Sequence, residues 1–299
     1  MKLPIITIVG IGILSVGTAV SHDDKQGDGG KPASIRIMGS DTMLQMNLAL
    51  ADAYARKRPN LEPIVVDGRG SSSGLKALID GRCELASSSR PIKASEEAKL
   101  EAAHDPGVEE MVAAYDPIAI FVHKDNPIDS ISLDDLKAIY TQAGMTNRWE
   151  HVGEDGSGER EKREGDIRAL GRNNSSGTYG AFLKMICEDK RAEYRPGIAA
   201  MSGSTALLEA IASDPLAIGY APAAYKTEGV KALKIDSGKE GEKPVAPGAA
   251  NLRKGNYALS RSLYYYFVAA PEGELKKFLE WIKTDEAKEI IVAQGFVAP

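Results

Sequence analysis

Residues 172–180 have the sequence Arg-Asn-Asn-Ser-Ser-Gly-Thr-Tyr-Gly and lie between two segments of different periodicity. Residues 167–170 alternate in polarity as a strand does, whereas Tyr179, Phe182 and Ile186 recur at helical spacing. We therefore predict a strand-to-helix turn at 172–180.

This turn carries groups that suit an oxyanion. The first N–H groups of a helix have no intrahelical partners, and the helix dipole places partial positive charge there. Ser176 and Thr178 add hydroxyl donors, and Gly177 lets the backbone approach closely. Arg172 offers a fork that matches two oxygens of the anion. The alternative is a capped helix with a solvated arginine, but two similar turns elsewhere favour an anion site.

The first similar turn, Gly-Ser-Asp-Thr-Met at 39–43, follows a strand at 35–37 and precedes a helix. Asp41 or Thr42 is the expected N-cap, and capping is the alternative to a role in binding. The second, at 67–74, follows a strand at 63–66. Its last five residues also match Gly-x-Ser-x-Gly, the nucleophile elbow of serine hydrolases, with Ser72 as the nucleophile.

Strands and helices alternate along most of the chain, which predicts an α/β fold with mostly parallel pairing. A short strand at 85–88 ends at Ser89 and Arg90, which either donate to the anion or belong to a plain loop. Two long apolar runs, 112–122 and 257–268, are predicted to cross between two lobes.

The N-terminus carries a short charged start, an apolar run and small residues, which predicts a signal peptide over 1–21 rather than a retained anchor. No cysteine follows that run, so we expect no lipid-modified N-terminal cysteine. Residues 22–33 contain almost nothing that could be buried, and a disordered leader is expected there.

The composition excludes several classes of ligand. A net charge of -5 argues against nucleic acid or an anionic membrane as the partner, because both favour excess Lys and Arg. The 2 cysteines and 4 histidines are scattered and show no metal-ligand spacing. We therefore expect no metal and no cofactor, and an anion would be held by local geometry.

Five motifs together resemble those of the phosphate-binding proteins of ATP-driven bacterial importers. They are, in order, Gly-Ser-Asp-Thr at 39–42, Gly-Ser-Ser-Ser-Gly at 70–74, Ser-Ser-Arg-Pro at 88–91, Arg-x-x-x-Ser-Gly-Thr at 172–178 and Tyr-Ala-Leu-Ser-Arg at 257–261. The resemblance implies a type II periplasmic-binding fold, in which two lobes, each a mostly parallel sheet flanked by helices, are joined by two crossing strands. The lobes would span 34–117 with 262–299, and 118–261.

The resemblance also implies a set of phosphate ligands. Matching positions give Thr42, the backbone of Met43, Ser71, Arg172, Ser176, Gly177 and Thr178, and the same turns add Ser40, Asp41, Ser72, Ser89 and Arg90. Ser89 stands where members of the family carry an aspartate that accepts a proton from phosphate. Asp41 is the expected substitute, since it lies in the first turn and a carboxylate can accept.

The expected function is phosphate binding by a periplasmic monomer that delivers its ligand to a membrane permease. A serine hydrolase using Ser72 is the alternative of another class, but its histidine lacks a recognisable context. Sulfate or another tetrahedral oxyanion is a second alternative, and a sensory protein with the same fold a third. A nucleotide site is disfavoured because Gly70 and Gly74 are too close for a P-loop.

Overall fold

The computed structural model describes residues 35–142, 146–152, 164–187, 192–239 and 241–299. The predicted signal peptide at 1–21 and leader at 22–33 lie outside these residues. Within the described ranges, none of the helices has both the length and the apolar character needed to span a membrane.

The described residues form alternating strands and helices. The strands are β1 Ile35–Gly39, β2 Ile64–Asp67, β3 Leu85–Ser88, β4 Val108–His123, β5 Ser130–Ser132, β6 Arg168–Arg172, β7 Ala199–Met201, β8 Ala217–Pro222, β9 Val230–Ala232, β10 Lys234–Asp236 and β11 Ser260–Val268. The helices are α1 Leu44–Arg56, α2 Ser71–Ile79, α3 Ala94–Ala103, α4 Leu133–Tyr140, α5 Gly177–Ile186, α6 Ser204–Ser213, α7 Ala249–Arg253, α8 Gly273–Ile282 and α9 Asp285–Ala293, with short 3₁₀ turns at Asp41–Met43, Trp149–His151 and Ala223–Tyr225.

One mixed sheet holds most of the strands, in the order β2-β1-β3-β11-β4-β8-β6-β7, with β9 also paired to β4. The predicted parallel pairing occurs between β1 and its neighbours β2 and β3, and between β6 and its neighbours β7 and β8. The long strands β4 and β11 instead run antiparallel to each other and to their other neighbours. The α/β fold is confirmed, and its sheet is mixed because two long strands pass through its centre.

The buried side chains change partners along these two long strands. On β4, Ala114 packs with a cluster that includes β1, α1 and α8, whereas Ile118 packs with one that includes α4 and α5. On the chain leading into β11, Leu259 belongs to the second cluster and Leu263 to the first. The lobe boundaries at 117/118 and 261/262 stay predictions.

Some local predictions were wrong. Residues 230–236 form two short strands, β9 and β10, which pair with β4 and β5 respectively. The chain between β10 and β11 contains α7. The strand expected from residue 257 begins at Ser260. The three-residue strands β5 and β7 were missed, because so few residues give no measurable period.

Polar side chains gather where β1, β2, β3 and β6 end. The carboxyl ends of β1 and β3, which are parallel neighbours, lead to Ser40 and to Ser89. The chain after β2 enters α2 at Ser71, and the chain after β6 enters α5 at Gly177. Because ligands of open α/β sheets bind outside the carboxyl ends of the strands, a ligand site is expected at this edge of the sheet.

Candidate anion-binding site

The first turn places a hydroxyl in the interior. Thr42 is 1 % exposed, and its Oγ1 lies 3.0 Å from Oγ1 of Thr178, the corresponding threonine of the α5 turn. Ser40 is also buried, its N–H donates to Ser87 O over 2.9 Å, and its Oγ has no hydrogen-bond partner among the described residues. The Met43 N–H, predicted to face phosphate, closes the turn onto Ser40 O over 3.1 Å.

The Asp41 carboxylate does not cap the helix that follows it, so the N-cap prediction for this residue is wrong. Its Oδ2 accepts from Ser204 N over 3.0 Å and from Ser204 Oγ over 2.9 Å, and it lies 3.0 Å from Arg172 Nη1. It therefore satisfies the N–H of the first residue of α6, a helix far along the chain, and also pairs with an arginine. Thr42, the other expected N-cap, makes no capping bond either.

Arg172 ends β6 and is 3 % exposed, so the alternative of a solvated arginine does not hold. Its Nη1 donates to Ser204 Oγ over 2.9 Å, and its Nη2 donates to Ser202 O over 3.2 Å. Its Nε has no hydrogen-bond partner within the described part of the chain. Since buried donors are almost always paired, this N–H is available to an acceptor in the site.

The start of α5 is shaped by its own side chains. Ser176 is the N-cap, and its Oγ accepts from Thr178 N over 3.2 Å. Gly177 packs so tightly that an added Cβ would lie 2.3 Å from both Ser71 Oγ and Ser89 Oγ. Any side chain at Gly177 would displace these two hydroxyls, so glycine is required where the turns meet.

Ser71 and Ser89 form one polar pair beside Gly177. Ser71 Oγ accepts from Ser89 N over 3.0 Å, and the two Oγ atoms are 3.2 Å apart. Both residues are buried, at 0 % and 1 % exposure. They belong with Thr42 and Thr178 as hydroxyl groups enclosed between the turns.

Arg90 and Ser72 form a separate group. Arg90 Nη1 and Nη2 donate to the two carboxylate oxygens of Glu96 over 2.8 and 2.7 Å, and Nη1 also donates to Pro91 O. Arg90 Nη2 donates to Ser72 Oγ over 3.0 Å. Burial alone would raise the pKa of Glu96, but the hydrogen bonds from Arg90 and from the Lys93 N–H, together with the charges of these two residues, outweigh it and lower that pKa. The Arg90 guanidinium is thus occupied by a carboxylate outside the threonine and serine cluster.

The predicted ligand set omits two buried charges, Arg261 on β11, which ends the fifth motif, and Asp116 opposite it on β4. Asp116 Oδ2 accepts from Arg261 Nε over 2.9 Å and from Nη2 over 2.8 Å. Nη2 also donates to Thr178 Oγ1 over 3.0 Å and Thr42 Oγ1 over 3.2 Å. Burial raises the pKa of Asp116 and lowers that of Arg261, and their pairing opposes both shifts. The available signal was a charged residue interrupting each of the two long apolar runs.

Comparison with known proteins identifies the family of this chain. Residues 25–286 match the family model described as a PBP superfamily domain. The chain is 30 % identical over 281 residues to the phosphate-binding protein PstS of Bacillus subtilis, covering 93 % of this chain and 84 % of the relative. The chain belongs to the PBP superfamily and, within it, to the PstS family.

Two further similarities agree with this assignment. PstS of Pseudomonas aeruginosa is 29 % identical over 301 residues, covering 96 % of this chain and 90 % of that protein. A Clostridium perfringens protein, solved with bound phosphate and assigned as a phosphate ABC transporter substrate-binding protein, superposes with a TM-score of 0.76. It is 25 % identical, and the match covers 89 % of this chain and 99 % of that one. The type II periplasmic-binding fold implied by the resemblance is confirmed.

In this PstS-family protein, the groups enclosed by the turns are hydrogen-bond donors and two arginine–aspartate ion pairs. Arg172 is paired with Asp41 and Arg261 with Asp116, so these four side chains sum to zero charge. Across the described residues, no group of three or more His, Cys, Asp or Glu side chains could hold a metal ion. The arrangement can bind an oxyanion through oriented hydrogen bonds.

Proposed function

We propose that the protein binds inorganic phosphate among the turns after β1, β2, β3 and β6. The observation that carries this proposal is Arg172, a buried guanidinium fixed by Asp41 and Ser204 whose Nε has no partner among the described residues. A tetrahedral oxyanion supplies acceptors for that N–H and for the neighbouring hydroxyls. Relatives named phosphate-binding protein and a fold neighbour solved with phosphate support the same ligand.

The predicted ligand set divides accordingly. We assign to phosphate Ser40, Thr42, Ser71, Ser89, Arg172, Gly177 and Thr178, with Met43 and Ser176 shaping the turns. Arg90 donates to both Ser72 and Glu96, and we leave Ser72 and Arg90 outside the site. Asp41 holds Arg172 in place, and its part in selecting phosphate over sulfate stays a prediction.

The protein acts by binding and not by catalysis in this proposal. A hydrolase would need a base at Ser72, yet in the described part of the chain no histidine hydrogen-bonds to that hydroxyl. His104 Nε2 lies 2.9 Å from Leu78 O, and His123 Nδ1 accepts from Asp125 N over 3.2 Å. Ser72 Oγ instead accepts from Arg90.

We further propose that the protein is exported to the periplasm and, as a monomer, delivers phosphate to the permease of an ATP-driven importer. The resemblance, the predicted signal peptide and the C. perfringens neighbour support this role. A cleft between two lobes is suited to it, because the same site can be closed for binding and opened for release.

A binding measurement tests the proposal. Protein lacking the predicted signal peptide is titrated with phosphate and with sulfate by calorimetry, and its melting temperature is followed with each anion. Phosphate at a hundred times its Kd should add about 2.7 kcal/mol to the free energy of unfolding. We expect a rise in melting temperature with phosphate at lower concentrations than with sulfate. No heat and no rise with millimolar concentrations of either anion would contradict the proposal.

A further inference from the structure

The side chain of Arg261 contacts two separate turns of the proposed site, the turn after β1 and the start of α5. Its Nη2 is 3.2 Å from Oγ1 of Thr42, in the turn after β1, and 3.0 Å from Oγ1 of Thr178, at the start of α5. Its Nη1 donates to Ser89 O over 3.0 Å. One guanidinium on a crossing strand therefore contacts three of the turns that enclose the site.

These contacts fix the direction of hydrogen bonding. Arginine has N–H donors and no acceptor, so a threonine oxygen can only accept from it. Nη2 has two hydrogens and also donates to Asp116 Oδ2, so Thr42 Oγ1 and Thr178 Oγ1 share its second N–H. The two hydroxyl oxygens are 3.0 Å apart, and one of them can donate to the other. Because a hydroxyl has a single hydrogen, at least one O–H remains to be directed at an acceptor in the site.

Asp116 holds Arg261 in this position. Its Oδ2 accepts hydrogen bonds from both Nε and Nη2 of Arg261, and the Asp116 side chain is 0 % exposed. An unpaired guanidinium would be strongly disfavoured in this interior, whereas a paired and fully hydrogen-bonded one is tolerated. Arg261 is thus in place before a ligand arrives.

We propose that Arg261, held by Asp116, is a positioning residue for anion recognition that turns the hydroxyls of Thr42 and Thr178 into donors toward the ligand. This inference rests on the proposed function and assigns a role to a pair that lies outside the predicted ligand set. Without Arg261 each hydroxyl is free to rotate, and its hydrogen can point away from the site. An anion would then face oxygen lone pairs as often as O–H donors.

The main test removes the charge pair as a unit, because deleting one partner would bury the other unpaired. Arg261→Met with Asp116→Leu is compared with wild type by calorimetric titration of inorganic phosphate. The matched control is Arg36→Met with Glu84→Gln, which removes another ion pair between distant segments, one that is partly exposed and joins β1 to the residue before β3. We expect at least about a tenfold loss of affinity in the first variant and less than about twofold in the control.

A thermodynamic cycle separates positioning from a merely structural role. Thr178→Val removes one of the hydroxyls, so removing the charge pair in that background should lower phosphate affinity by a smaller factor than in wild type. If removing the charge pair lowers phosphate affinity by the same factor in wild type and in Thr178→Val, then Arg261 does not act through the Thr178 hydroxyl. Should the double variant fail to fold, Arg261→Lys replaces it in the same cycle, since lysine keeps the charge without the planar fork.

The outcomes distinguish the two proposals. Wild-type protein that binds no phosphate contradicts the proposed function, and this inference with it. Wild-type protein that binds, together with an Arg261→Met/Asp116→Leu variant of equal affinity, contradicts only the role of Arg261.

Discussion

Arg90, which follows the end of β3, and Arg172, which ends β6, have similar positions in the sheet and different partners. Arg90 and Arg172 are both buried, and each is paired with a carboxylate. Glu96 takes both terminal nitrogens of Arg90, whereas Asp41 takes one nitrogen of Arg172, and the Nε of Arg172 has no partner among the described residues. A position at a strand end therefore does not by itself distinguish the two arginines. The proposed function assigns phosphate to Arg172 because its Nε lies among the hydroxyl turns with no partner among the described residues.

The largest expected effect comes from exchanging each arginine for lysine. Arg172→Lys keeps the charge but loses the fork, and we expect phosphate affinity to fall by about 1.5 to 3 kcal/mol, the scale of a hydrogen bond to a charged group. Arg90→Lys should destabilise the fold through Glu96 and leave phosphate affinity within about twofold. Calorimetric titration of both variants measures the difference. Equal affinity losses would remove the distinction between the two arginines.

A smaller effect on phosphate affinity is expected from substituting the two adjacent serines at the start of α2. Ser71 lies with Ser89 at Gly177, whereas Ser72 accepts from Arg90. Ser71→Ala should weaken phosphate binding by about 1 kcal/mol, the scale of one hydrogen bond, and Ser72→Ala should leave it unchanged. The same preparations are assayed for ester hydrolysis. Turnover by wild type that disappears in the Ser72 variant would support the hydrolase alternative instead.

The smallest expected effect is a pH dependence of the protein's stability that arises from the Arg90–Glu96 ion pair. The pKa of Glu96 is lowered in the folded protein, so this group stabilises the fold above the unfolded value near 4.5, and the contribution is lost as pH falls through the lower folded pKa. Glu96→Gln should therefore melt about 2 to 4 °C below wild type at pH 7, and the gap should narrow below pH 4. Thermal scans across this range check it. A gap that stays constant in acid would mean that the charge of Glu96 is not the cause.

Much of the fold was predictable because its segments carry their own signals. The alternation in β1 and the helical spacing in α5 gave their types. The capping box at the start of α4 is equally local, with Ser132 Oγ accepting from Asp135 N over 3.0 Å. These features depend on residues a few positions apart, so the sequence alone specifies them.

The site was predicted in part, for a related reason. The hydroxyl turns were identified from local Gly, Ser and Thr patterns, but the partners of their charged residues lie far away along the chain. Asp41 binds Ser204, 163 positions later, and Arg261 binds Asp116 across 145 positions. Such pairs are set by strand register and packing, which short-range periodicity does not contain.

The place of β11 in the sheet has a consequence for the order of events during synthesis. β11 lies between β3 and β4, yet it is made from residues 260–268, long after both neighbours have left the ribosome. Until then β3 and β4 each keep an unpaired edge toward the position of β11, and pairs such as Ser88 with Tyr264 cannot form. The amino-terminal third of the nascent chain cannot complete its sheet alone, so folding waits for nearly the whole polypeptide. For a protein proposed to be exported, this delay leaves the chain unfolded for longer before its sheet is complete.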